Sequence, residues 1–218
     1  MPMPLHWRDA LRATAVGAAT ALTAPLWVPS RLEDRLTGGE GWFAACSELL
    51  SLVPGAAGIY LRRGFYRMTL DACATDCHIG FGTTLAHRRT AIGRGVYVGN
   101  RCTLGKVVIE DHATIGSNVD ILSGRHQHHF GDLDRPIQDQ GGTFRPVRIG
   151  RNSWVGNSSV IMADIAADCV VGAGSVVVKP SPARSVVAGN PASVKRLRED
   201  PAGSAESVAA PREATAPC

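Results

Sequence analysis

At positions 119–130 the chain reads VDILSGRHQHHF, and three of its seven histidines, His126, His128 and His129, fall within four residues. Histidine can hold a metal, carry a positive charge or take a proton near neutral pH, because its unshifted pKa is about 6.5. A metal would draw His126 and His128 together from an extended segment, but no third ligand is committed nearby. A base needs one imidazole within reach of a hydroxyl, and the other two histidines would then be bystanders or acceptor contacts. Asp120 and Asp132 are the nearest carboxylates able to fix the ring's tautomer. Spacing alone leaves these readings open, so the elements that carry the histidines must decide.

The remaining reactive residues are dispersed. Six cysteines (Cys46, Cys73, Cys77, Cys102, Cys169 and Cys218) lack the density of a disulfide scaffold. CATDCH leaves three residues between its sulfurs, so zinc there would need ligands from elsewhere. Buried thiols in a reducing cytoplasm are expected, with no metal. Twenty-three basic residues face 19 acidic ones, a net charge of +4. That balance permits an anionic cofactor or a membrane surface, and without a basic face or docking motif it gives no nucleic-acid partner.

The ends differ from the middle. An Ala-rich apolar run from Ala13 to Val28 is broken by Pro25 and falls short of the roughly 20 residues that cross a bilayer. Residues 1–70 are expected to form a helical, amphipathic extension lying on the protein or, through residues 10–29, on a membrane. Arg8 and Arg12 supply only a weak basic start for a secretory signal, so a cytoplasmic location, at the inner membrane face, is the expectation. Residues 201–218, rich in Ala, Ser, Pro and Glu, read as a disordered tail.

Between them runs a beat of six. Ile79 and Leu85 are six apart, and after one extra residue come Ile92, Val98 and Leu104. The beat returns at Ile109, Ile115 and Ile121, then at Ile149, Val155 and Ile161, and ends with Ile165 and Val171. A helix repeats at about 3.6 residues and a strand at two, so neither explains it. A short strand plus a tight turn does, with Gly and Asn where the backbone needs unusual dihedrals. Stacked coils would bury the aliphatic residues along a solenoid axis. Residues 124–146 lack the beat and read as a loop carrying the histidines.

This repeat, with VVGAGSVVVKPSPARSVVAGNPASVKRL after it, resembles the hexapeptide-repeat acyltransferases, over about residues 79–196. LLSLVPGAAGIYLRRGFYRMTL upstream resembles extensions on the branch acting on polysaccharides and surface glycans. The resemblance implies an all-β solenoid: a left-handed parallel β-helix over 71–190, with the helical extension before it. A capping segment at 191–200 follows, in which VKRLRE reads as a short helix. It also implies a homotrimer, an active site between neighbouring β-helices, and acetyl-CoA as donor.

Acetyl transfer to a hydroxyl needs a base and no acyl-enzyme, and no serine or cysteine setting calls for one; Ser123 beside Gly124 reads as a turn residue. In the sugar-acetylating branch the catalytic histidine lies seven residues past the first aliphatic of a repeat pair. VDILSGRH has that form, from Val119 to His126, so His126 is the expected base and Asp120 the carboxylate assigned to it. Gln127 stands where the branch has proline and His129 where it has aspartate. The acceptor contacts implied are Asn100, His128, His129 and Trp154. For the cofactor they are Gly156, Asn157, Gly172, Ala173 and Gly174 along the pantetheine arm, with Lys179, Arg184, Lys195 and Arg196 toward the phosphates. The expected function is O-acetyl transfer to a sugar or glycan precursor. Serine, an antibiotic or an amino sugar are other acceptors, and a non-enzymatic β-helix scaffold is the reading from another class.

Overall fold

The computed structural model describes residues 5–198, with side chains from residue 10 onward; the tail at 201–218 lies outside them. Four helices precede the solenoid: α1 (Leu5–Leu22), α2 (Ala24–Thr37), α3 (Gly41–Ser51) and α4 (Gly55–Thr69). The Ala-rich run is therefore two helices, separated at Thr23, with Pro25 in the first turn of α2, where its missing N–H costs nothing. α1 crosses α4 closely, because a β-carbon on Gly64 would stand 2.7 Å from the Ala19 backbone. Among the described residues, no helix is long and apolar enough to cross a membrane.

The solenoid has three faces of parallel strands. The first stacks β1 (Ala72–Cys73), β4 (Ala91–Ile92), β7 (Val107–Ile109) and β10 (Val147–Ile149). The second stacks β2 (His78–Ile79), β5 (Tyr97–Val98), β8 (Thr114–Ile115), β11 (Trp154–Val155), β13 (Val170–Val171) and β15 (Ser185–Gly189). The third stacks β3 (Thr84–Leu85), β6 (Thr103–Leu104), β9 (Asp120–Ile121), β12 (Val160–Ile161) and β14 (Val176–Val177). All thirteen aliphatic residues of the beat are at most 2 % exposed, so they form the axial core of a left-handed β-helix. Corners turn through left-handed backbone, and non-glycine residues take it too: Asn118 at φ 55° and Asn152 at φ 53°. The structure begins the first coil at Ala72, one strand before the beat becomes readable.

Both ends of the stack are closed, by different means. At the base, α4 directs two buried arginines at the open edge: Arg62 Nε donates to the Ile79 carbonyl at 3.0 Å and Arg63 Nε to that of Cys77 at 2.9 Å. Ser47 Oγ on α3 accepts the Leu85 N–H at 2.9 Å. At the other end the expected short helix is absent. β16 (Ala192–Leu197) runs antiparallel to β15 and pairs Val187 with Val194. The reason is local: the turn at Asn190 and Pro191 delivers the chain onto the edge of β15, whose unpaired backbone groups outweigh the helix propensity of Lys195, Arg196 and Leu197.

Candidate active site

The histidine loop leaves the third face after β9 and re-enters the first face at β10. Its neck is closed by the Arg145 N–H donating to the Ser123 carbonyl at 2.9 Å. Within it, Thr143 N donates to the His126 carbonyl at 2.7 Å and His129 N to that of Gly141 at 2.9 Å. The two limbs of the loop are thus pinned together on either side of Gln127. His126 is exposed and lines a cleft of about 320 Å3 between the loop and the upper coils, with Thr143, Arg145, Met162, Asp164 and Val178. His126 and His129 also border an outer recess with His128 and Asp132.

The other expected site residues lie outside the loop. Asp120 makes no side-chain hydrogen bond to His126 among the described residues. It lies instead in a recess on the third face with His87, Thr103 and Gln127. Trp154 is on the second face, 54 % exposed, and Asn100 stands at the corner between second and third faces. There Asn100 Oδ1 accepts the Phe81 N–H at 2.9 Å and Asn157 Oδ1 accepts that of Ser117 at 3.0 Å, a ladder that ties successive coils. No three His, Cys, Asp or Glu residues gather into a metal-holding group among the described residues.

The cofactor assignments divide similarly. Gly156 is buried, and its missing β-carbon makes room for the next coil, since a β-carbon would stand 2.5 Å from Ala173 N. Ala173 and Gly174 are exposed at the following corner, and Gly174, at φ +68°, has open space around it. Gly172 faces Ala188 of the last coil. Lys179 is exposed between Val178 and Pro180, which line the His126 cleft. Arg184 sits at a different corner, and Lys195 lies on β16 with its Nζ 2.9 Å from Ser193 Oγ.

Residues outside the sequence assignments complete the surroundings. Phe144 in the loop receives three neighbours: the His87 ring edge-on at 5.7 Å, the His128 ring at 6.5 Å and Lys106 Nζ at 5.7 Å. His87 in turn meets Glu40, from the start of α3, at 2.5 Å. Arg145 pairs with Asp164 across the mouth of the cleft at 3.0 Å. No motif flags these residues, because each contact joins segments far apart in the chain.

Residues 146–179 match the family model described as hexapeptide repeat of succinyl-transferase. Nodulation protein L of Rhizobium meliloti is 32% identical over 154 residues, covering 61% of this chain and 79% of that protein. A probable acetyltransferase of Mycobacterium tuberculosis is 30% identical over 132 residues, covering 50% of this chain and 44% of its own length. The chain spans about half the length of several curated relatives it matches. Among solved structures, a maltose O-acetyltransferase from Clostridium difficile 630 superposes with a TM-score of 0.55 at 22% identity, covering 72% of this chain and 86% of that one. The chain belongs to the hexapeptide-repeat, left-handed β-helix acyltransferase family.

Proposed function

We propose that the protein transfers an acetyl group from acetyl-CoA to a hydroxyl of a sugar or glycan precursor, with His126 as general base. The observation that carries this reading is the position of His126 on the wall of a cleft between a pinned loop and the upper coils. In the proposed step, the acceptor oxygen attacks the thioester carbonyl carbon while the imidazole takes the hydroxyl proton. The carbon–sulfur bond then breaks, and the imidazolium returns that proton to the leaving thiolate. An acetyl ester, free CoA and neutral histidine result.

The exposed Ala173–Gly174 corner and Lys179 offer backbone amides and a cation to the donor. Trp154 lies on the second face and His126 in the loop after the third, so their joint action calls for a neighbouring copy that presents its second face to the loop, as in the homotrimer of this reading. The fold shared with a maltose O-acetyltransferase makes a sugar hydroxyl the first acceptor to test.

Purified protein, acetyl-CoA and a panel of sugars, serine and amino sugars, read by thiol release, would test the reading. Sugar-dependent release is the expected result; release with amines alone would move the reaction to N-transfer, and none at all would favour a scaffold. Exposed Leu11, Leu22 and Val28 support contact of the first two helices with a membrane, which this reading puts at its cytoplasmic face. Cosedimentation with anionic vesicles checks this, and a protein that stays in the supernatant would argue against it.

A further inference from the structure

The Glu40–His87 pair is a carboxylate–imidazole dyad outside the histidine loop. Glu40 is fixed at both oxygens: Oε2 lies 2.5 Å from His87 Nδ1, and Oε1 accepts the Arg88 N–H at 2.9 Å. A carboxylate on Nδ1 selects the tautomer with its proton there, which leaves Nε2 of the neutral ring as a hydrogen-bond acceptor. The ring edge against Phe144 further restricts its rotation.

His87 lines the recess of about 300 Å3 on the third face, with Ala86, Thr103, Asp120, Gln127 and Val160. Four of its lining side chains, Asp120, His87, Gln127 and Thr103, are able to accept a hydrogen bond. A ligand dense in hydroxyl donors suits it, and Asp120, the one carboxylate among the residues lining it, opposes an anion. The recess also adjoins the cleft in sequence, since His126 lines one and its neighbour Gln127 lines the other. A molecule held here would bring a hydroxyl toward the base.

We propose that His87, oriented by Glu40 from the helical extension, binds the acceptor, and that this recess selects neutral, hydroxyl-rich molecules over anionic ones. The role at the acceptor rests on the acetyl-transfer reading, whereas binding does not. The helical extension thereby contributes to specificity as well as closing the base of the β-helix.

The test uses the full chain, with maltose as neutral probe and glucuronate as anionic probe, followed by ligand-observed NMR and by thiol release. Wild type should bind maltose more tightly than glucuronate. H87A should weaken maltose binding roughly 10-fold and raise KM with little change in kcat, the loss of one hydrogen-bonding group. H87Q should recover part of that affinity, and E40Q, which keeps an acceptor oxygen at Nδ1, should stay closer to wild type than E40A. Unchanged thermal unfolding of H87Q guards against loss of fold.

Equal maltose affinity in wild type and H87A, equal affinity for both probes, or no binding of either probe by wild type would each overturn the proposal. So would a fall in kcat at constant KM, which would make His87 a proton-transfer group. If maltose binding follows His87 but no sugar releases thiol, the acetyl-transfer reading fails while the recess assignment stands. Thiol release with His87-independent binding gives the reverse.

Discussion

Gly142 lies against Gln127 so closely that a β-carbon at 142 would stand 1.7 Å from the Gln127 carbonyl oxygen. The contact is backbone on backbone, so no side-chain rotation relieves it. G142A should push the two limbs of the loop apart and displace His126, lowering kcat about 10- to 100-fold while the β-helix core is unchanged. Steady-state kinetics beside a thermal melt separate the two effects, and wild-type turnover in G142A would show that the loop pin does not position the base.

H126A should lower kcat by about 10²–10⁴, the usual worth of a positioned general base, with acetyl-CoA affinity retained. H128A and H129A should lose less. His128 packs edge-on to Phe144 and acts through the loop, while His129 borders the same cleft as His126. A dead H129A beside an active H126A would transfer the base to His129.

Arg88 is 2 % exposed, and its guanidinium donates to Glu33 Oε2 at 2.6 Å and to the Ser30 carbonyl at 2.9 Å. It also sits over the Phe43 ring at 5.3 Å. R88M should destabilise the docking of α2 and α3 on the order of 3 kcal/mol, since it strands the partners of a buried cation. Urea unfolding and early proteolytic cleavage within the helical extension would report it; coincident wild-type curves would contradict it.

His78 is held below its ordinary value of 6.5 by burial, and further by Arg63 and Arg62. Between that lowered value and 6.5 the unfolded chain binds more protons than the folded one. Stability from this group is therefore full above 6.5 and falls as pH drops through that window. H78Q should flatten the slope of unfolding free energy against pH there. An unchanged slope would assign the acid sensitivity elsewhere.

Cys73 and Cys77 have their sulfurs 3.6 Å apart at the base of the stack. The hydrogen bond from Cys73 holds the Cys77 thiol below its usual range, with Arg63 assisting, and the same bond pushes Cys73 up. Diamide should take one hydrogen from each thiol, leaving an intramolecular disulfide and the reduced reagent. Peptide mapping should find the bridge in wild type and no equivalent in C73S; two free thiols after treatment would show the pair to be inert.

The solenoid was legible because its physics is local and repeated. Ile79 through Val171 each face the axis, so one side-chain preference recurs at a fixed interval, and the gap in that interval located the histidine loop. His126 lies just past β9, the strand at which that interval breaks. Glu40 and His87 are 47 residues apart, and nothing in either segment records the other. VKRLRE suggested a helix because its residues favour one in isolation, whereas the open edge of β15 is a tertiary fact. The tight stacking of Gly156 on Ala173 is likewise a contact between coils that its own segment does not record.

The closure of the loop neck by Arg145 and Ser123 has a consequence for how this protein can diverge. The coils on either side keep register regardless of what lies between: Val107 pairs with Val147 and Thr114 with Trp154 as if the intervening residues were missing. Insertions, deletions or whole replacements between Gly124 and Phe144 would therefore leave the scaffold's folding untouched. New acceptor preferences can be grafted there, by evolution or by design, without renegotiating the core.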